Sequence, residues 1–297
     1  MKKILLILFP ITFSILLGQG KSGGMGNLKL PSHARDAALG DATVADPTAF
    51  SSSAINPSLL LYSQRLEFTV SHQEWIEDSQ SEHFALVFPF SVVALGFSLS
   101  TTSINGIELR DQPGPPRGTF SSRYGAVGLS GATAISPDFQ VGLTIKYLYE
   151  KILVDEADGW GLDVGLAYQP GIEGLSFGAS LRDLGIMNPL RTSSTRLPTR
   201  ITGGASFQTR LEEKISTRFV TSLSRELSLS TLYAAAGVEI EYSRLLSIRL
   251  GYQSGYSTRG FSAGIGFSSL PMLFDYSFTP FSFSLGNAHL LSLGIRL

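Results

Sequence analysis

The chain has 297 residues, a formal net charge of −1 and no cysteine. That excludes disulfides, thiolate metal sites and lipid attachment through a cysteine, and it leaves no broad field of one sign to recruit nucleic acid. Charged residues are only 16% of the chain, while apolar residues at 43% are dispersed among 31 glycines, and no stretch beyond the first twenty residues reaches the ~18 apolar positions that a membrane-spanning helix needs.

At the start, Lys2 and Lys3 precede ILLILFPITFSILLG, and Gly18 and Gly20 flank Gln19. A basic head, an apolar core and a small-residue end predict a secretory signal peptide over 1–20. A signal peptide on a cysteine-free chain opening MKK suits the envelope of a Gram-negative-type (diderm) bacterium.

Residues 21–63 carry NLKLPSHARDAALGDATVADPTAFSSSAINPSLL and show no period-two alternation. ARDAAL is rich in helix formers and predicts a short helix over 34–39 capped by Ser32; the rest is small, polar and turn-rich. A stretch of this size before a wide barrel is expected to fill the lumen as a hatch, because glycine and serine cannot fill it.

From 64 to 297 the alternation recurs. In FQVGLTIKYLY the odd positions are Phe, Val, Leu, Ile, Tyr and Tyr, and WGLDVGLAY, LSFGASL, LLSIRLGY, FSAGIGF and MLFDYSF split the same way. Fourteen strands follow, near 65–74, 82–89, 91–103, 120–134, 138–150, 159–169, 174–183, 199–209, 214–224, 231–242, 245–253, 259–268, 271–279 and 288–297. The connections after odd strands read as long (EWIEDSQ, INGIELRDQPGPPRGT, KILVDEADG, LGIMNPLRTSSTRLP, TPFSFSLGN) and those after even strands as short. Long loops at one end and tight turns at the other are the asymmetry of an outer-membrane barrel. The fold class expected is all-β: a transmembrane antiparallel β-barrel of about 14 strands with an N-terminal hatch segment in the lumen.

A soluble sandwich also alternates, but its outer face would carry more Lys and Glu than the Gly, Ser, Thr and Ala found here. Single charges punctuate that small-residue face: Glu67, Lys146, Asp163, Arg182, Arg218, Glu239, Arg249, Asp275 and Arg296. They suit a lumen with a mixed-sign network. Tyr147, Tyr149, Trp160, Tyr168, Tyr242 and Tyr252 fall near strand ends on the apolar face, as an aromatic girdle would. HLLSLGIRL, from 289 to 297, reads as the closing strand that pairs with the first.

The run ARDAALGDATVADPTAFSSSAINPSLL resembles the hatch of the PorV/PorQ family, a branch of the FadL-like outer-membrane proteins. LTIKYLYEKI with GWGLDVGLAY, LSFGASLRDLG and LGNAHLLSLGIRL also look like that family, in order and over nearly the whole chain. The resemblance implies that Asn56 and Pro57 form the hatch turn, with Ser58 where alanine is commoner, and that Arg35, followed by Asp36, anchors the hatch. A purely structural reading serves Asn56 and Pro57 equally well, with the amide satisfying backbone groups and the proline fixing φ.

No catalytic chemistry is legible. His33, His72, His83 and His289 have no G-x-S-x-G or paired-carboxylate motif nearby, and no metal-ligand spacing such as H-E-x-x-H occurs. VDEADG lacks the ligand spacing of a calcium loop and reads as a solvated turn; GPPRG reads as a stiff loop tip. A non-enzymatic protein without cofactor or metal is expected.

Two functions of different class follow from the resemblance. The first is a component of a type IX secretion-like route that docks or shuttles exported cargo at the cell surface, with protein partners in a secretion or surface-attachment complex. The alternative is a FadL-like channel for hydrophobic small molecules, which predicts a connected apolar groove from the outer loops to the hatch. A structural barrel of unassigned role is the third reading. In each, outer-membrane lipid surrounds the wall.

Overall fold

A computed structural model describes residues 24–48, 54–228 and 231–297. The signal peptide expected over 1–20 and the first residues of the hatch lie outside the described residues. The wall strands are β1 (Glu67–Glu74), β2 (Ser79–Pro89), β3 (Val93–Leu109), β4 (Gly118–Ser136), β5 (Phe139–Ile152), β6 (Asp155–Tyr168) and β7 (Leu175–Met187), then β10 (Arg200–Glu212), β11 (Ile215–Glu226), β12 (Thr231–Tyr242), β13 (Leu246–Ser254), β14 (Phe261–Ser269), β15 (Met272–Pro280) and β16 (Asn287–Arg296). β8 (Pro189–Leu190) and β9 (Ser193–Ser194) form a two-stranded ribbon in the connection after β7.

All fourteen wall strands pair antiparallel with their sequence neighbours, and β16 pairs back onto β1 from Glu67↔Arg296 to Glu74↔His289, closing the barrel. Closure leaves no unpaired edge, which spanning a bilayer with strands requires. The apolar face of each strand points outward. In β16, Leu291, Leu293 and Ile295 are exposed, while Leu290 and Ser292 are buried in the lumen. In β13, Leu246, Ile248 and Leu250 are exposed and Ser247 and Arg249 buried. A continuous belt of exposed Leu, Ile, Val and Phe around a polar interior is the inverse of a soluble core and marks the wall as lipid-facing. Tyr147, Trp160, Tyr168, Tyr242 and Tyr252 stand exposed on that face and Tyr149 is half-buried.

The long connections are shorter than the sequence suggests, because strands run on through them. INGIEL completes β3 and VDEADG contributes Asp155–Asp158 to β6, leaving a tight turn at Leu153 and Val154. β3 and β4 have 17 and 19 residues, well beyond the ~9–11 that cross a bilayer, so this hairpin projects past the membrane. In water both faces tolerate polar residues, and the alternation that reveals a strand fades there.

The hatch threads the lumen from the loop end to the turn end. Gly24 abuts Thr195 in the connection after β7, and Met25 packs with Ala126, Leu148, Ala157, Met187 and Leu197. A 3-10 turn over Gly26–Lys29 leads to α1 (Ala34–Ala38), and a second 3-10 helix, Pro57–Tyr62, precedes β1. The helix is where the sequence places it, but its N-cap is His33 rather than Ser32: the His33 Nδ1 accepts from the Arg35 N–H at 3.1 Å. The imidazole does the work of the usual hydroxyl or carboxylate cap.

Candidate functional site

Two fixtures hold the hatch. At the first, Asn56 caps the second 3-10 helix. Its Oδ1 accepts from the Ser58 N–H at 3.1 Å and the Ser58 hydroxyl at 2.7 Å, and its Nδ2 donates to the Val44 carbonyl at 2.7 Å and to the Leu166 carbonyl of β6 at 2.9 Å. All four hydrogen-bonding capacities of the side-chain amide are engaged in a fully buried position. Pro57 occupies the first helical position, where its missing N–H costs nothing. The turn lies directly on the wall: a Cβ at Gly142 would collide with the Pro57–Ser58 backbone, and one at Gly165 with the Asn56 side chain. Glycine is required at both for this close approach.

At the second fixture, Arg35 of α1 donates from Nε to Glu239 Oε2 at 2.9 Å and from Nη2 to Oε1 at 3.0 Å. Its Nη1 meets Asp46 of the hatch at 2.7 Å. Arg218 approaches Asp46 at 3.1 Å and Glu239 at 3.5 Å, and Arg249 joins Glu239 at 2.5 Å and also Asp275. Three arginines and three carboxylates thus alternate in the lumen, with the side chains of Arg35, Glu239, Arg249 and Asp275 each 6% exposed. In this low-dielectric setting each charge depends on its neighbours, and removing one leaves an uncompensated partner.

Backbone bonds stitch the remaining hatch to the wall. The Ala34 N–H donates to the Ser292 hydroxyl at 2.9 Å, Ser262 donates to the Ala38 carbonyl at 3.1 Å, Gln253 to the Gly40 carbonyl at 2.7 Å, and Ser176 to the Ala45 carbonyl at 2.6 Å. Asp36 accepts from the Thr43 hydroxyl at 2.8 Å. Burial pushes the Asp36 carboxyl up to about 7 and the His33 imidazole down to about 4, since desolvation disfavours the charged form of each.

Between the hatch and the wall lies a cavity of about 170 Å³. Leu28, Leu30, Ile55, Leu60, Val87 and Phe97 contribute apolar surface, but hydroxyls of serine and threonine from β2 to β11, together with Lys146, Asp163, Arg182, Asp183 and Arg200, dominate the rest. The lining is amphipathic and not the connected apolar groove expected of a channel for purely hydrophobic molecules. Glu239, Arg249 and Asp275 lie apart from it, in the hatch clamp. Lys146 bridges Asp163, at 2.8 Å, and Asp183. Asp183 sits at a bulge where β7 slips against β6, with φ of 58°, and its N–H donates to Asp163 Oδ1 at 2.8 Å.

Of the residues singled out in the sequence, Arg35, Glu239, Arg249 and Asp275 come together in the clamp, Asn56, Pro57 and Ser58 form the seated turn, and Lys146, Asp163 and Arg182 line the cavity. Asp36 supports the hatch from within, through Thr43. The sequence reading passed over Asp46, Asp183, Lys29 and Arg200. Period two could have found Arg200, which shares the buried face of β10 with Thr202.

No protein-family model and no curated protein matches the sequence. Solved structures do match. The CymD monoaromatic hydrocarbon channel aligns with a TM-score of 0.63 at 11% identity, over 90% of this chain and 97% of that one. The Pseudomonas putida toluene transporter TodX gives 0.63 at 10% identity, over 88% and 96%. A Pseudomonas aeruginosa FadL homologue gives 0.53 at 11%, over 89% and 97%. At such identities the likeness is one of architecture: this chain has the fold of the FadL-type outer-membrane barrels, closed at fourteen strands and carrying its hatch inside.

Proposed function

We propose that the protein is a FadL-like outer-membrane channel that admits small molecules with a hydrophobic part, the hatch serving as its plug. The observation that carries this reading is the cavity between hatch and wall, whose lining runs from Gln73 and Thr102 of the wall to Ile55 and Leu60 on either side of the seated turn. The fold neighbours named as hydrocarbon channels support the same reading. The amphipathic lining favours molecules that combine an apolar body with a polar group, because a bare hydrocarbon would strip water from many hydroxyls without replacing their hydrogen bonds. The test is uptake of labelled single-ring aromatic compounds into proteoliposomes carrying the purified barrel. Entry faster than into protein-free liposomes is expected, and equal rates would overturn the reading.

A second reading, docking of exported cargo in a secretion route of the PorV/PorQ kind, draws on the sequence resemblance and on one feature of the loop end. Val154, Ile186 and Phe283 are exposed there by 72%, 76% and 78%, and apolar tips of this kind suit contact with a protein partner. Mild extraction from native outer membranes followed by mass spectrometry of what accompanies the barrel tests it. Recovery of cargo proteins sharing a C-terminal domain would put this reading first.

A further inference from the structure

The cavity between hatch and wall has two unlike sides. From β5 onward its lining carries charge, with Lys146 held between Asp163 and Asp183. On β1, β2 and β3 the lumen-facing lining is neutral and hydrogen-bonding, with Gln73, Ser81, His83, Ser98, Ser100 and Thr102. The one acid of these strands that borders the cavity, Glu82, lies on the outer face and pairs with His72 at 2.6 Å. The hatch charges turn to the far side: Lys29 meets Glu226 of β11 at 2.9 Å, and Asp41 accepts from Gln253 of β13 at 3.0 Å.

Two side chains on the neutral side have their hydrogen bonds unmade. Gln73 is 2% exposed, yet among the described residues neither the oxygen nor the nitrogen of its amide meets a hydrogen-bond partner. No hydrogen bond engages the His83 imidazole among those residues either. The hydroxyls beside them are already engaged, Ser81 with Thr102 at 2.9 Å and Ser71 with Ser292 at 2.8 Å. Register brings the two side chains together. Gln73 stands opposite Ser81 and His83 opposite Ser71, so Gln73 and His83 are diagonal neighbours on the lumen face of β1 and β2, a spacing of ~7–8 Å that one small group can bridge. A buried amide with neither bond made is costly. Amide and imidazole can each donate and accept at once, and together they match a group that does the same, such as a hydroxyl.

Below this pair the lining turns apolar. Ala85 and Val87 follow His83 on the same face of β2, and Val87 packs with Leu60 of the hatch, Ala94 and Ala132. Val87 lies ~13 Å along the strand from His83. An apolar floor therefore stands within one small molecule's reach of a neutral polar head. The cavity, about 170 Å³, is close to the ~150 Å³ that accommodates benzene in an engineered protein cavity. It suits one ring, not a long acyl chain.

We propose that Gln73 and His83 bind the uncharged hydroxyl of a single-ring alcohol whose ring lies over Ala85, Val87 and Leu60. The inference rests on the channel reading and specifies its substrate class. The test is titration calorimetry on the full chain in detergent, against empty micelles, with benzyl alcohol, toluene and benzoate. Benzyl alcohol should bind ~10-fold more tightly than toluene, which makes neither hydrogen bond, and than benzoate, whose charge the neutral side leaves uncompensated. Gln73→Met with His83→Phe removes the polar atoms at similar size. It should lower benzyl alcohol to the level of toluene and leave toluene unchanged, whereas a purely structural role would weaken both alike. The wild-type ranking stands even where the double variant fails to assemble. Equal binding of benzyl alcohol and toluene overturns the inference and leaves the channel reading intact, while binding of none of the three overturns both. Benzoate binding as tightly as benzyl alcohol overturns the neutral site in favour of the charged side, and a preference untouched by the double substitution removes Gln73 and His83 from it.

Discussion

Arg35 and Glu239 meet through two parallel hydrogen bonds of 2.9 and 3.0 Å, joining a helix of the hatch to the barrel wall across 204 positions of sequence. Glu239 accepts at the same time from Arg249 and faces Arg218. Its carboxylate is therefore the hub of the clamp.

Replacing that hub should loosen the hatch without opening the wall. Glu239→Gln leaves Arg35, Arg218 and Arg249 around a neutral amide, a loss on the scale of ~3–5 kcal/mol for a broken buried pair. Hydrogen exchange over 34–46 should accelerate strongly while exchange in β10–β16 changes little. Uniform acceleration across the barrel would mean that the clamp holds the wall rather than the hatch.

The seat of the Asn56 turn makes a steric prediction. Gly165→Ala should displace Asn56 and Pro57, since the added carbon would occupy the position of the Asn56 carbonyl group. Gly203→Ala is the control, because the nearest atom to its added carbon is 4.0 Å away. Limited proteolysis in detergent should cleave the first variant in the hatch and spare the second.

At Asn56 itself, charge and shape can be separated. Asn56→Ala loses a cap and leaves the carbonyls of Val44 and Leu166 without their donor, a cost of ~2–4 kcal/mol from the two effects together. Asn56→Asp keeps the cap acceptor but turns a carboxylate toward those two carbonyl oxygens. It should be the more damaging of the two at neutral pH and should recover as acid neutralises the carboxylate. Thermal unfolding of both variants at pH 5 and pH 8 checks the order.

Asp36 and His33 give the hatch two opposed pH dependences. Asp36, raised by burial from 3.8 to about 7, binds its proton more tightly folded than unfolded, so its contribution to stability falls as pH rises from about 4 to about 7. His33, lowered by burial from 6.5 to about 4, binds its proton less tightly folded, so its contribution falls as pH drops through the same window. In the wild type the two slopes oppose each other. Asp36→Asn should unmask the acid-side loss relative to wild type, and His33→Asn the alkaline-side loss, each read from the unfolding midpoint between pH 4 and 7.5.

The wall was legible in the sequence because lipid on one side and a small-residue lumen on the other impose period two over the bilayer's thickness. Where strands rise beyond the lipid, as at Ile104–Leu109 and Asp155–Asp158, that constraint lapses and they read as loops. The clamp was legible in part: Arg35 and Glu239 each stood out, but their partnership depends on how the hatch threads the barrel. Arg182 was visible as a lumen charge, whereas its opposition to Arg200 depends on pairing across residues 188–199, where the side chains give no register. Nor does anything in LRDLG announce the bulge at Asp183, which arises from slippage against β6. His33 as a cap was missed because imidazole is an uncommon substitute for the hydroxyl that Ser32 offered one residue earlier.

The way the hatch joins the wall limits how it can move. Only residues 64–66 separate Ser63, at the end of the second 3-10 helix, from Glu67 in the strand that closes the barrel. Even fully extended, that leash spans only ~14 Å, and the Ser63 hydroxyl shortens it by bonding the Arg65 carbonyl at 2.8 Å. Toward the opposite end, Met25 packs against the wall and Lys29 pairs with Glu226 at 2.9 Å. A plug tethered so tightly at the turn end cannot be expelled as a body. Any displacement of it would have to pivot at Ser63, as a stopper stays chained to its bottle.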